Sequence, residues 1–289
     1  MTLKEEKLFC CVCKKLNVYE TVTDFSPSVQ HDLDGRPHGE ERYALTKSIQ
    51  VCPYCRYANF SVDTEIEGFD AEKVVHSGEF LERAKKVSGA KKFILSAYLY
   101  EKARDFITAG YLYMNAAWTF DDENAKNSRT TSKLHEKSQG SNEETKNSHI
   151  PARTFDDKID RERLKSIEVT NENQNLNEKH SQSVHSKDSK GENDEDCAKY
   201  FRIKAAECFA KGGFSEDTAA AHCDCLRRTG DFKAARTFAK KALKILRPEG
   251  ELYDSLKIEI DLCRKKDDSC KVFVPRKKGL FGFFRGKKK

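Results

Sequence analysis

The hydrophobic residues of the chain follow two different periods. Residues 1–67 contain three short β-prone runs separated by polar, turn-rich sequence, which predicts a small β-rich module. Over residues 68–120, apolar side chains recur every three or four positions, and alanines alternate with aromatic residues. Because small residues allow two helices to approach closely, this stretch predicts a hairpin of two α-helices.

After the first helical stretch the pattern changes twice more. Residues 121–196 are dominated by Ser, Asn, Lys, Glu and Asp, a composition that predicts a long disordered insertion. Helical spacing returns over 197–271, where Gly230 and Asp231 mark a tight turn between two amphipathic segments. The predicted fold class is therefore α+β, with a β-rich module, a mainly α-helical array interrupted by the insertion, and a tail at 272–289.

Four cysteines in the first module form two pairs, each with two residues between its members. The pairs are Cys10/Cys13 and Cys52/Cys55. Two such knuckles can place four thiolates tetrahedrally around one zinc ion, and few other uses of cysteine need this spacing twice. We therefore predict a zinc site made of these four residues. A zinc ion with four protein ligands has no open position for a substrate, so the site predicts a structural role.

The sequence leaves some alternatives to this ligand set open. Cys11 could replace Cys10, although Cys10 reproduces the spacing of the second knuckle. His31 and His38, in the long connection between the knuckles, could compete for the metal. The same thiolates could also hold an iron–sulfur cluster, take part in redox chemistry, or bind no metal.

Cysteine usage and hydropathy predict the compartment. The chain contains eleven cysteines, an odd number that is scattered beyond the knuckles, which suits a reducing cytoplasm better than a disulfide framework. The charged N-terminus leads into no apolar segment, and no apolar run approaches the ~20 residues of a membrane span. We therefore expect a cytoplasmic protein without a signal peptide.

The connection between the knuckles carries a compact group of charges. Asp32, Asp34 and Arg36 lie close together in a polar, turn-rich segment. Paired carboxylates can act as general acid and base. Because no nucleophile, phosphate-binding loop or oxyanion motif accompanies them, we expect instead that Arg36 pairs with one of the two aspartates and organises the loop.

The net charge of +6 is concentrated at one end of the chain. The segment Arg276–Lys289 contains seven basic residues and no acidic residue, which leaves a net charge of −1 for the rest. Because a nucleic-acid-binding surface should be locally basic, the body of the chain is a poor candidate for one. The tail, which also contains three phenylalanines, is a candidate contact for an anionic membrane surface, with single-stranded RNA or simple solvation as alternatives.

Three segments carry a resemblance to a known family. They are Cys52–Ala58 (CPYCRYA), Ala116–Trp118 (AAW) and Leu226–Ala235 (LRRTGDFKAA). The third is similar to a tetratricopeptide repeat, in which a Gly-Asp-aromatic turn joins two helices. The whole layout resembles the bacterial domain-of-unknown-function family numbered 2225. This resemblance implies a zinc-ribbon-like head followed by tetratricopeptide-like helices, and it implies no activity.

One position in the second knuckle departs from the usual pattern. Arg56 stands where such knuckles usually place glycine, and a non-glycine residue in the left-handed conformation costs about 1 kcal/mol. The 121–196 insertion is also longer than the resemblance leads us to expect.

Together these features predict a non-enzymatic, zinc-stabilised protein-interaction or scaffold module. Its helical array would bind a protein partner, and its zinc head would cap the array or add a second contact surface. The alternative function is an adaptor that acts at a nucleic acid or at the membrane surface through the basic tail.

Overall fold

The computed structural model describes residues 1–85, 89–138 and 194–274, with side chains for these ranges except 127–138 and 194–195. Two small antiparallel sheets near the N-terminus are followed by a mostly helical part, which confirms the predicted α+β class. Most of the predicted insertion and all seven cations of the tail lie outside the described residues. Every helix in the described ranges is too short or too polar to cross a lipid bilayer.

The two sheets are β-hairpins. They consist of β1 (Thr2–Phe9) with β2 (Leu16–Asp24), and of β3 (Gln50–Val51) with β4 (Ala58–Asn59). The sequence pattern misses β1 because the middle of this strand is charged. The strand forms by pairing with β2 along its whole length, with Phe9 opposite Leu16 and Leu3 opposite Val22. In both hairpins, one of the cysteine knuckles connects the two strands.

Helices make up most of the remaining described residues. They are α1 (Gly39–Leu45), α2 (Ala71–Val75), α3 (Gly78–Arg83), α4 (Ala90–Lys102), α5 (Phe106–Ser138), α6 (Asp194–Gly212), α7 (Glu216–Arg228), α8 (Phe232–Ile245) and α9 (Glu251–Lys265). From α4 to α9 each helix packs against the next, and α7 also contacts α9. This stepwise packing is typical of helical arrays built from hairpins.

Helix α5 continues past the predicted start of the insertion. The sequence pattern ends the helix at residue 120, but the helix extends to Ser138. Asp121 and Asp122, which composition assigns to the insertion, instead form ion pairs with arginines from other elements. Composition misses this role because it counts polar residues as unable to pack, whereas paired charges can be part of an interior.

One apolar core runs through the cysteine module and helices α2 to α7 without a break. It contains Cys10, Tyr57 and Val62 of the module together with Phe93 of α4 and Phe209 of α6. The predicted boundary after residue 67 therefore does not separate two cores. A module of this size has too little apolar surface to form a stable core alone, so it packs against the helices.

Helices α7, α8 and α9 enclose a second, smaller core. The turn between α7 and α8 is the Gly-Asp-aromatic segment of the sequence analysis. Gly230 has a positive φ of 89°, and the Asp231 carboxylate accepts a hydrogen bond from the Ala234 N–H, which caps the start of α8. The residues of α8 that are fully buried in this core are small: Ala235, Ala239 and Ala242.

Helices α5 and α6 approach each other closely at two glycines. A methyl group on Gly110 would lie 2.6 Å from the ring of Phe209, and one on Gly212 would lie 2.5 Å from the side chain of Ile107. Along the same interface the ring of Phe201 stacks between two aromatic rings of α5, at 5.9 Å from Tyr113 and 5.7 Å from Phe120. The glycines therefore set the distance at which these rings can stack.

We expect Gly110→Ala to lower the free energy of unfolding by about 1–3 kcal/mol, because the added methyl group forces the Phe209 ring out of its packed position. Urea denaturation followed by circular dichroism measures this change. Gly78→Ala in α3 is the matched control, since a methyl group there meets no atom within 4 Å. The control should be neutral or stabilising, and an equal loss in both variants would show that the close contact is not the cause.

Candidate metal centre

The two knuckles have the same backbone conformation. In the first, the Lys14 N–H donates to the carbonyl oxygen of Cys10 at 2.9 Å, and in the second the Arg56 N–H donates to that of Cys52 at the same distance. Lys14 and Arg56 both have a left-handed φ, 56° and 65°. Both knuckles thus place a basic residue at the position that favours glycine. These turns direct the two thiols of each knuckle toward the other hairpin.

The four thiol groups lie close enough together to surround a single ion. The sulfur atoms of Cys10 and Cys55 are 3.6 Å apart, and those of Cys13 and Cys52 are also 3.6 Å apart. All four lie within 4.8 Å of one another. Tetrahedral ligands at a metal–sulfur distance of about 2.3 Å are about 3.8 Å apart. The structure therefore brings the four predicted residues into a tetrad that is able to hold a metal ion.

Burial controls the protonation of these thiols. Cys10 and Cys52 are fully buried and Cys55 nearly so. Desolvation raises the pKa of Cys10 to about 11 and also raises the pKa of Cys55. Burial acts on Cys52 in the same direction, but hydrogen bonds from the N–H groups of Cys55 and Tyr54 outweigh it and lower the pKa of Cys52. Because a metal binds thiolates, loading the tetrad releases protons and is favoured as pH rises.

The alternative ligands of the sequence analysis lie outside the tetrad. The thiol of Cys11 donates to the carbonyl oxygen of Thr64 at 3.4 Å and does not join the other sulfurs. The imidazole Nε2 of His38 lies 2.8 Å from Asp32 Oδ1, and neither His38 nor His31 belongs to the thiol group. The arrangement therefore agrees with the spacing argument, which prefers Cys10 to Cys11.

Buried polar side chains connect the second knuckle to helix α4. The Tyr57 hydroxyl donates to the carbonyl oxygen of Thr64 at 2.8 Å and accepts a hydrogen bond from Asn59 Nδ2 at 3.0 Å. The Tyr100 hydroxyl on α4 donates to Asn59 Oδ1 at 2.8 Å. These bonds hold the loop after the knuckle in one conformation. They also make the position of the tetrad depend on α4.

The loop between the knuckles is buried, and its charges have specific partners. The carboxylate of Asp34 accepts a hydrogen bond from Trp118 Nε1 at 2.7 Å and another from the backbone N–H of Arg36, in the same loop, at 3.1 Å. The Arg36 side chain donates to Asp122 and to the Trp118 carbonyl oxygen, both at 2.6 Å. The expectation that Arg36 pairs with Asp32 or Asp34 is therefore wrong, because the guanidinium reaches α5 instead.

Two adjacent aspartates of α5 form ion pairs with four arginines. Asp122 pairs with Arg36 and with Arg42 of α1, whereas Asp121 pairs with Arg36, with Arg202 of α6 and with Arg228 of α7. Burial opposes the charge of Asp121, but Arg202, Arg228 and Arg36 outweigh it and lower its pKa.

Asp34 lies beside these ion pairs, and together with Asp121, Asp122 and the four arginines it forms one charge cluster. The environment of Asp34 favours a charged carboxylate less than that of Asp121 does. Its Oδ2 lies 3.7 Å from Arg228 Nη1. Burial, followed by the nearby Asp224, raises the pKa of Asp34 to about 6, despite the opposing effects of Arg228 and Trp118. The cluster thus joins the inter-knuckle loop, α1, α5, α6 and α7.

A short segment after α9 pairs with the same loop. The Leu33 N–H donates to the carbonyl oxygen of Lys271, and the Phe273 N–H donates to that of His31, each at 2.8 Å. Asp32 and Val272 form the β-bridge between these bonds. The first residues of the predicted tail at 272–289 therefore belong to the folded part, where they cover the loop.

We expect Asp121→Asn to lower the free energy of unfolding by about 3 kcal/mol, because Arg202 is buried and would lose its charged partner. Chemical denaturation at neutral pH measures the loss. The control is Asp261→Asn, which removes one member of an exposed pair with Arg264 on α9. We expect the control to change stability by less than about 0.5 kcal/mol, and similar losses in both variants would contradict a special role for the cluster.

The fold and the tetrad together define a class of protein: a helical array with an N-terminal four-cysteine tetrad built on two β-hairpins. The chain belongs to the family described as an uncharacterized protein conserved in bacteria (DUF2225), whose model matches residues 3–173. The match confirms the family resemblance found in the sequence. It includes both knuckles, whereas the Leu226–Ala235 turn lies outside it. Searches of curated proteins and of solved structures found no significant match.

Proposed function

We propose that this protein is a non-enzymatic, zinc-stabilised scaffold that binds a protein partner through its helical array. The observation that carries the proposal is the tetrad of Cys10, Cys13, Cys52 and Cys55. With four thiolates as ligands, a tetrahedral ion has no coordination position left for a substrate or water. A site of this kind stabilises a fold and performs no chemistry at the metal.

The size and the donors of the tetrad favour zinc. Sulfur atoms that all lie within 4.8 Å of one another surround the volume of one ion, which is too small for a cluster of several iron atoms. Four thiolates in tetrahedral arrangement are a common ligand set of structural zinc. In a module with little core of its own, zinc binding would contribute directly to the free energy of folding.

The helical array offers exposed apolar side chains to a partner. On α6, Tyr200 is 50% exposed and Ile203 is 41% exposed, and the two lie one helical turn apart. Other residues of the same helix, such as Phe201, pack into the interface with α5. Aromatic and large aliphatic side chains that remain exposed on a rigid helix are suitable anchors for a protein interface.

We expect the purified wild-type chain to contain one zinc ion per molecule and the Cys52→Ser variant to contain none after dialysis. Serine cannot replace the thiolate, so the remaining three ligands bind zinc far more weakly. Mass spectrometry of metals and thermal denaturation measure both effects. Cys11→Ser is the matched control, because it removes a thiol adjacent to the first knuckle but outside the tetrad.

The zinc proposal fails if Cys52→Ser leaves metal content and melting temperature unchanged. It also fails if Cys11→Ser loses as much metal as Cys52→Ser. Iron in place of zinc, with the absorbance of a cluster, would assign the tetrad to electron transfer instead.

We expect the double variant Tyr200→Ala/Ile203→Ala to lose protein partners that the wild-type chain retains. Quantitative affinity purification of the full chain from its native cell measures this loss. The control is Tyr43→Ala/Leu81→Ala, which removes exposed side chains of similar size from α1 and α3. Recovery of the same partners at the same level with both variants would show that this face of α6 is not the interface.

The alternative function, an adaptor that acts at a nucleic acid or at the membrane surface through Arg276–Lys289, stays a prediction. These residues lie outside the described part of the chain.

A further inference from the structure

Helix α8 carries a group of basic residues and no acidic residue. Six cations occupy exposed positions on α8 and just beyond it: Lys233, Arg236, Lys240, Lys241, Lys244 and Arg247. Residues 232–247 contain no aspartate or glutamate. None of the six forms an ion pair with an acidic residue in the described part of the chain. The net charge of −1 for the body of the chain therefore conceals a strongly basic surface.

The arrangement of these cations opposes the stability of the helix itself. Cations on α2, α3 and α9 pair with an acidic residue three or four positions away. On α8 the residues at the same spacing are like-charged, as in Arg236 with Lys240 and Lys240 with Lys244, and such pairs repel. Lys233 also lies in the first turn, where the helix dipole disfavours a cation. Folding alone does not account for this pattern.

The cations form one line along the helix. Because Lys233, Arg236, Lys240 and Lys244 are separated by three or four residues, they lie on one side of α8 over about 16 Å. The opposite side packs against the second core and includes the buried alanines Ala235, Ala239 and Ala242. Helix α8 is therefore fixed in the fold with its basic side toward solvent.

Two exposed apolar side chains lie on one flank of α8, between its basic line and its buried side. Ile245 is 66% exposed at the end of α8, and Phe214, in the connection between α6 and α7, is 44% exposed. Phe214 contacts Phe238 of α8, with 6.3 Å between the ring centres. The surface thus combines a row of cations with apolar groups at its edge.

We propose that this face of α8 binds the surface of a membrane that contains anionic phospholipids. The cations would contact the lipid phosphates, and Ile245 and Phe214 would enter the headgroup region. Because the apolar side of α8 is buried in the protein, the helix lies on the surface and does not insert further. This membrane contact goes beyond the proposed scaffold function and depends on neither the zinc site nor the tail.

The same surface fits a nucleic acid less well. The exposed positions of α8 include no asparagine or glutamine that could read an adenine edge, and no aromatic ring lies on the basic line for a base to stack on. The exposed apolar residues at its edge would gain nothing from a phosphate backbone. They do gain from burial in the headgroup region of a bilayer.

The test measures partition of the full-length chain onto vesicles of phosphatidylcholine alone and of phosphatidylcholine mixed equally with phosphatidylglycerol. We expect binding to the anionic vesicles only. The variant Lys240→Gln/Lys241→Gln/Lys244→Gln should lower the partition coefficient about 100-fold, because each cation near an anionic surface contributes about a factor of five. Ile245→Ser should lower it separately, without changing the charge.

The matched control is Lys7→Gln/Lys91→Gln/Lys199→Gln, which removes the same charge from exposed positions on other elements. It should bind the anionic vesicles within a few-fold of the wild-type chain. Circular dichroism should show every variant folded, since all substituted positions are exposed.

Three results would overturn the proposal. The first is equal loss in the α8 variant and the control, which would indicate a nonspecific effect of net charge. The second is disappearance of the α8 effect when the seven tail cations are replaced by glutamine, which would assign the binding to the tail. The third is α8-dependent binding of generic RNA or duplex DNA without vesicle binding, which would make α8 a nucleic-acid surface.

Discussion

A buried arginine must keep a carboxylate beside it, and this constraint determines how the parts of the protein fit together. Asp121 and Asp122 supply the two carboxylates at one point of α5, and four arginines from four other segments meet there. Desolvating so many charges is favourable only when all of them are in place at once. The inter-knuckle loop and helices α1, α5, α6 and α7 therefore share one polar junction, in addition to the continuous apolar core.

The cysteine tetrad could be predicted from the sequence, because its signal is local. Two pairs with the same short spacing need only a hairpin each to bring their sulfurs together. The charge cluster could not be predicted in this way. Arg36 and Asp122 are separated by 86 positions, and the sequence around each of them carries no signal that links the two. The helices α4 to α9 could also be predicted, because the spacing of apolar residues along a helix is a local signal too. The charged strand β1 was not, because pairing with β2 rather than apolar burial holds it in place.

Two kinds of contact position the helices: close approaches at glycines, and ion pairs of arginines with aspartates. Gly110 and Gly212 allow α5 and α6 to approach until aromatic rings stack, and the arginines then fix their orientation relative to the inter-knuckle loop. In the second core, the small alanines of α8 leave room for α7 and α9 to pack against this helix. The cations of α8 take no part in this packing, because they lie on its outer, exposed face.

The pairing of residues 271–273 with the loop at 31–33 has a consequence for synthesis on the ribosome. The two knuckles are complete after the first 55 residues. The backbone of the loop at 31–33 must wait for Lys271 and Phe273, which are translated about 240 residues after the loop itself, before these hydrogen bonds can form. Any chain that stops before that point leaves the Leu33 N–H and the His31 carbonyl oxygen without these partners, a feature by which the quality-control machinery of a cell could recognise an unfinished product.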